Sequence, residues 1–212
     1  LSTVMPPAGV KIESLPSEVK EFLFVYLDDI LLFSSKSLGI KAHAYLLEYV
    51  IWSANKFGII FSKAKAKICQ ENITFLGVNF TDKYQSIPDD KIPILTTARS
   101  PRSKAETLSR LSSFTYWSQF IPNFAKISLP LRDLVNSTEP FKWEKEHELA
   151  YRQLIMLVKM KIKLYHIDKE HPLYIFLDAS YLSIAYWICQ IINGEMRPCF
   201  ASSKILDQAS RN

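Results

Sequence analysis

Residues 21–35 read "EFLFVYLDDILLFSS", two apolar runs separated by adjacent aspartates. Phe, Val, Tyr and Ile fill both runs, the composition of half-buried strands. A membrane span is excluded here, because the stretch is too short to cross a bilayer and carries two acids at its centre. The pattern predicts a hairpin, with strands over Phe22–Tyr26 and Ile30–Ser34 and a tight turn at Leu27–Asp29. That turn lacks the Asn-Gly or Asp-Gly pair that local chemistry favours.

Two neighbouring carboxylates repel, and each raises the other's pKa. Placing them between apolar strands adds a desolvation cost. A divalent cation offsets both. Magnesium takes oxygen ligands and commonly binds through one or two carboxylates plus substrate phosphates. Two such ions can activate a 3′-hydroxyl and stabilise a leaving pyrophosphate. A solvated Asp-Asp turn on a surface hairpin is the alternative, and the dipeptide by itself does not choose between them.

The 212 residues leave room for one large domain or two small ones. Hydrophobic residues make up 48% and charged residues 22%, as in a packed globular chain rather than a disordered one. No signal-peptide pattern opens the sequence. Cys69, Cys189 and Cys199 form no C-x-x-C pair, which fits a reducing compartment, and the four histidines make no zinc pattern with them. The net charge of +5 is uneven. Residues 88–163 hold 13 basic and 8 acidic side chains, whereas residues 1–87 hold 9 and 8 and residues 164–212 hold 4 and 5. Between Arg99 and Arg132 six basic residues face one acid, Glu106. Such a stretch is a modest footprint for a polyanion, or else a solvated helical face.

Periodicity predicts a helix over Leu38–Phe57, with Leu46, Tyr49, Val50, Ser53 and Phe57 on one stripe and Gly58 ending it. Strands are expected at Ile59–Phe61 and Ile73–Phe80, around the basic "SKAKAK". Pro88 opens a helix over Asp89–Arg99, against which Pro93 argues. Ser103 and Glu106 form a capping box for a helix running to about Phe120. Shorter and longer helices follow near Ala125–Val135 and over Trp143–Lys163, the latter burying Ala150, Leu154, Leu157 and Val158. Strands return at Leu173–Leu177, Ala185–Ile192 and Arg197–Ala201. The class is α+β: strands, then helices, then strands, which suggests two sheet-bearing domains bridged by helices.

"YLDD" followed by "ILLFS" resembles the Y-x-D-D signature of reverse transcriptases, in the form typical of gypsy-class long-terminal-repeat retrotransposons. Further motifs follow in family order. "NKFGIIFSKAKAK" resembles the segment after the palm helix, and "ITFLG" (Ile73–Gly77) the hairpin that grips the primer. "IPDDKI" and "SKAETLSRLSSFTYWSQFIPNFAKISLPLRDL" resemble the thumb. "FKWEKEHELAYRQL" resembles the linker, and "LYIFLDASYLSIAYWICQ" the opening of the attached ribonuclease H domain. The resemblance spans about residues 20–212.

It implies a partial polymerase palm (antiparallel sheet with helices) over residues 1–86, a helical thumb and linker over 87–168, and the start of a ribonuclease H-like α/β domain over 169–212. Asp28 and Asp29 are then catalytic, metal-binding residues, and Asp178 of the D-A-S motif is the first metal-binding carboxylate of ribonuclease H. The cofactor is Mg2+ or Mn2+. Phe75, Leu76 and Gly77 become the primer grip, where a glycine lets backbone approach backbone closely, and Tyr26 a further residue that binds primer or nucleic acid. Lys65 and the thumb residues Arg99, Arg102, Lys104 and Arg110 become contacts to the nucleic-acid backbone, which position a duplex without reading sequence. The implied partners are an RNA/DNA template-primer duplex, deoxynucleoside triphosphates and the remainder of a Pol polyprotein, with no membrane. The implied location is intracellular, in a cytoplasmic virus-like particle or the nucleus.

The departures shape the functional expectation. The family's third polymerase aspartate and its fingers would precede residue 1, "LSTVMPPAGVKIE" resembles the family only faintly, "TYWSQF" lacks two thumb arginines, and the second ribonuclease H carboxylate would follow Asn212. The expectation is therefore a polymerase fragment with little or no catalysis on its own. Two alternatives stand beside it: a non-catalytic remnant or co-opted module that binds nucleic acid or protein, and an unrelated α+β protein with an accidental Asp-Asp turn.

Overall fold

The computed structural model describes residues 22–34 and 36–206, which form two compact units, one ending at Cys69 and one beginning at Gln70. The faintly matching segment Leu1–Glu13 and the chain end from Asp207 lie outside the described residues.

In the first unit β1 (Leu23–Tyr26) pairs antiparallel with β2 (Asp29–Leu32). Tyr26 and Asp29 are the last facing pair, so the turn is Leu27–Asp28 rather than Leu27–Asp29. Asp29 belongs to the ladder. Lacking a glycine, the turn places Leu27 at φ 53, a left-handed conformation that L side chains rarely adopt. A 3-10 turn at Lys36–Leu38 leads into α1 (Gly39–Lys56). Leu46, Tyr49 and Trp52 of α1 pack together, with Phe22 and Leu32 against them. The expected stripe is right at Leu46 and Tyr49 and wrong at Phe57, which is 83% exposed while Trp52 and Ala54 are buried. The helix ends as the glycine predicts. Gly58 at φ 71 lets the Ile59 N–H reach the Ala54 carbonyl and its own N–H reach that of Asn55, a Schellman closure. That closure turns Ile59–Phe61 outward, and no strand forms there.

The second unit begins with β3 (Ile73–Phe75) and β4 (Val78–Phe80), a hairpin where a single strand over Ile73–Phe80 was expected. Leu76 at φ 44 and Gly77 at φ 68 make its two-residue turn. The sheet continues through β5 (Tyr84–Ser86) to β6 (Leu164–Tyr165) in the order β3-β4-β5-β6. Next comes α2 (Lys91–Thr96), only six residues long. Pro93 fits as its third residue because the first turn needs no internal N–H donors.

The Ser103 hydroxyl caps α3 (Lys104–Tyr116), accepting from the Glu106 N–H at 3.2 Å. Glu106 does not complete the reciprocal box. Its carboxylate accepts instead from the Arg102 N–H at 3.1 Å and from Arg99. The helix stops at Tyr116, and a 3-10 turn carries the chain from Ser118 to Phe120. After it come α4 (Phe124–Asn136) and α5 (Lys145–Lys159). Phe114, Phe120, Leu131, Tyr151, Leu154 and Val158 from these helices form the centre of one core. Leu157 lies at its edge, half-buried.

A three-stranded antiparallel sheet closes the chain: β7 (Tyr174–Ala179), β8 (Ser183–Ile192) and β9 (Glu195–Ile205). Pro198, which has no N–H to give, sits at a register shift opposite Cys189. The sheet is tied to the helices by the Ala125 N–H, which donates to Ser203 Oγ at 2.9 Å. All three cysteines are free. Among the described residues no helix is long and apolar enough to cross a membrane.

Candidate active site and nucleic-acid interface

The β1–β2 tip carries the aspartate pair. Asp28 is in the turn, Asp29 opens β2 opposite Tyr26, and all three side chains are exposed. No ion pair or side-chain hydrogen bond engages either carboxylate among the described residues. Two oxygen-only donors at consecutive positions suit a hard cation such as Mg2+ or Mn2+, whose remaining ligands come from water and phosphate. Among the described residues the pair is not joined by a third His, Cys, Asp or Glu. Lys65, in the same unit, is exposed in a turn where its own N–H bonds the Ser62 carbonyl at 3.2 Å.

In the second unit the Leu76–Gly77 turn rests on the end of α3. The Tyr116 hydroxyl donates to the Leu76 carbonyl. A methyl group added at Gly77 would lie 3.1 Å from Tyr116 Oη and 3.5 Å from Trp117 Cη2. Phe75 is buried, while Leu76 and Gly77 stay half-exposed.

The four basic candidates divide into two kinds. Arg99 is bidentate to Glu106 at 2.9 and 3.1 Å, and its hydrogen bonds hold the Glu106 carboxyl below the usual range. Lys104 donates to the Ser137 carbonyl just past α4. Both are structural ties as well as charges. Arg102 and Arg110 form no ion pair among the described residues. Beside Arg99 and Arg102 a shallow cavity of about 530 Å³ is lined also by Phe141, Trp143 and Arg152. Glu148 orders that wall, accepting from Trp143 Nε1 at 2.8 Å and Arg152 Nε at 2.6 Å. Bonds from Ser100, Trp143 and Arg152 keep its carboxyl below the ordinary range despite some burial.

Asp178 lies near the end of β7, opposite Ala185, with its side chain exposed. The Ser180–Ser183 turn that follows is closed by the Ser180 N–H to the Ser183 carbonyl at 2.8 Å. Among the described residues no acidic or histidine cluster surrounds Asp178. Tyr116, Trp143 and Arg152 escaped the sequence reading. Only the departure of "TYWSQF" from the family pattern marked one of them.

Residues 9–80 match the family model described as reverse transcriptase (RNA-dependent DNA polymerase). Residues 143–212 match the RNase H-like domain found in reverse transcriptase. The chain carries a reverse transcriptase segment and an RNase H-like segment. Similar curated proteins include the Gag-Pol polyprotein of baboon endogenous virus, 28% identical over 87% of this chain and 10% of that protein. The enzymatic polyprotein of cauliflower mosaic virus is 30% identical over 76% of this chain and 24% of its own length. The genome polyprotein of petunia vein clearing virus is 30% identical over 85% of this chain and 8% of its own. The chain thus spans a quarter or less of these relatives. Among solved structures, the foamy viral protease-reverse transcriptase in complex with RNA/DNA hybrid matches at TM-score 0.71 and 26% identity, covering 89% of this chain and 25% of that one. The same protein in complex with dsDNA matches at TM-score 0.72 and 25% identity, over 93% and 40%. The α+β reading of strands, helices and strands holds, and the reading as an unrelated protein with an accidental turn is set aside.

Proposed function

We propose that the chain is the palm-to-ribonuclease H part of an RNA-directed DNA polymerase from a gypsy-class retrotransposon Pol polyprotein. The observation that carries the reading is the β1–β2 tip: two adjacent carboxylates with no ion pair or side-chain hydrogen bond among the described residues, at the turn of a paired hairpin, inside the segment that matches the reverse transcriptase model. Asp28 and Asp29 hold Mg2+ or Mn2+. When bound, the ion supplies charge neutralisation between them and lowers the pKa of a coordinated hydroxyl. The paired strands fix the backbone at Asp29, so its carboxylate keeps a set orientation toward an incoming nucleotide. Tyr26, facing Asp29, offers a ring at the primer terminus. The Phe75–Gly77 hairpin holds the primer end. Arg102 and Arg110, with Arg99, Lys104 and Lys65, contact phosphates of the template-primer duplex. Asp178 contributes one carboxylate to the hydrolytic site of the RNase H-like domain. The deoxynucleoside triphosphate and the rest of the polyprotein complete the assembly, inside the cell.

The chain alone is a duplex binder with little or no catalysis, because among the described residues no third carboxylate joins Asp28 and Asp29 to hold a second ion beside the first. Primer extension on an RNA template tests this. The 212-residue chain gives background extension. A longer polyprotein segment that adds a third carboxylate extends the primer, and Asp28→Asn abolishes that extension. Extension by the longer segment that survives Asp28→Asn overturns the polymerase assignment of the pair. Duplex binding without extension in either protein favours the second reading, a co-opted nucleic-acid-binding module.

A further inference from the structure

The Leu76–Gly77 turn has both residues in the left-handed region. This is the conformation that two-residue hairpins favour, and Asn-Gly is the usual pair for it. Leucine at the first position is a strained choice. The Leu76 carbonyl lies outside the β3–β4 ladder, whose last facing pair is Phe75 and Val78. Tyr116 supplies its partner from 40 residues away. A Cβ at Gly77 would press on the Tyr116 hydroxyl at 3.1 Å, which would have to give by a few tenths of an ångström, and would lie in ordinary contact with Trp117 at 3.5 Å.

The two aromatic residues contribute differently. Trp117 is 5% exposed and belongs to the helical core, so it fixes where the floor of the contact lies. Tyr116 meets Trp117 edge to face at 4.7 Å but is itself 57% exposed. Packing does not require its hydroxyl, since phenylalanine would fill the same space. What the hydroxyl adds is a directional tie between the tip of one hairpin and the last residue of α3.

We propose that Tyr116 is a positioning residue. Its hydroxyl holds the Leu76–Gly77 turn at a fixed height over the end of α3, so that the hairpin meets a primer terminus in the register set by the helix. This rests on the reading of Phe75–Gly77 as the element that holds the primer end. The ligand class is a duplex with a recessed 3′ DNA end.

The test uses the full chain and two labelled duplexes of equal paired length, one RNA/DNA with a recessed 3′ DNA end and one blunt. The wild-type chain binds the recessed duplex more tightly. Tyr116→Phe weakens that binding by roughly 3–10-fold, the range for one net hydrogen bond. It leaves blunt-duplex affinity unchanged and lowers Tm by no more than the loss of one hydrogen bond costs. Hydrogen exchange of the Phe75–Val78 amides becomes faster in the variant. Gly77→Ala loses the preference as well, and adding Tyr116→Phe to it costs nothing further, because both act through one turn. Equal weakening of both duplexes, or unchanged exchange and unchanged recessed-end affinity, overturns the proposal. A wild-type chain that does not distinguish the duplexes overturns the primer-end reading and this inference together. A wild-type preference that survives Tyr116→Phe overturns the inference alone.

Discussion

Gln190 and Asp168 are joined by two reciprocal hydrogen bonds: the Asp168 N–H donates to Gln190 Oε1 at 2.8 Å, and Gln190 Nε2 donates to the Asp168 carbonyl at 2.7 Å. The same Nε2 also donates to the His171 carbonyl at 2.8 Å. A fully buried side-chain amide on β8 thus satisfies the backbone of the linker that enters the last sheet. Gln190→Leu keeps the volume and removes every bond. It is expected to destabilise the second unit by about 2–3 kcal/mol, because it strands backbone groups that water reaches poorly. Urea denaturation checks this as a lower midpoint at unchanged slope.

Acid sensitivity is expected at the wall around Trp143. Hydrogen bonds from Ser100, Trp143 and Arg152 depress the Glu148 pKa, and one from Arg99 depresses that of Glu106. A carboxylate whose folded-state pKa is lowered stabilises above its unfolded value, near about 4.3, and loses that contribution as pH falls through the folded value. Tm is therefore flat through neutral pH and falls below about pH 4.3. Glu148→Gln is expected to lower Tm at neutral pH and to flatten the acid limb. An acid limb identical in wild type and variant, measured by calorimetry across pH, refutes the assignment.

The two kinds of basic residue give opposite signatures. The Arg102 side chain forms no ion pair among the described residues, so Arg102→Ala is expected to lower duplex affinity and reduce the salt slope by about one. Lys104 is spent on the Ser137 carbonyl. Lys104→Ala is expected to lower Tm more than it lowers affinity. Anisotropy titrations at several salt concentrations, paired with melting curves, separate the two.

What the sequence disclosed follows the range of each interaction. The β1–β2 hairpin, the Gly58 helix stop and the Ser103 cap rest on pairings between residues less than ten apart; the helix stops where Gly58 places it, the hairpin forms with a turn one residue shorter than expected, and Ser103 caps α3 without the reciprocal bond from Glu106. β5 and β6 were missed because two short strands, Tyr84–Ser86 and Leu164–Tyr165, pair with each other across about 80 residues and carry no periodicity. Ile59–Phe61 had strand composition but no partner within the described chain. The aspartates were legible because like charges between apolar runs demand a reason. Tyr116 was not, since a tyrosine at the end of an amphipathic helix is ordinary until the Leu76 carbonyl is found beside it.

Divalent-ion removal gives the sharpest check on the hairpin tip. Without a cation, Asp28 and Asp29 contribute only mutual repulsion, so Asp29→Asn is expected to be as stable as wild type, or slightly more so, in chelator. Adding Mn2+ is expected to stabilise the wild type by the mass-action amount, about 2.7 kcal/mol when the ion is at 100 times its dissociation constant. Asp28→Asn and Asp29→Asn each remove one of two charged donors and should abolish most of that gain. Asp178→Asn, in the other unit, should leave the gain at the hairpin untouched. The readouts are the Tm of the chain in chelator and in Mn2+, and Mn2+-induced broadening of backbone resonances from Tyr26 to Ile30. If broadening centres elsewhere, or if both tip variants keep the full Mn2+ stabilisation, the adjacent carboxylates are a solvated turn and the metal assignment fails.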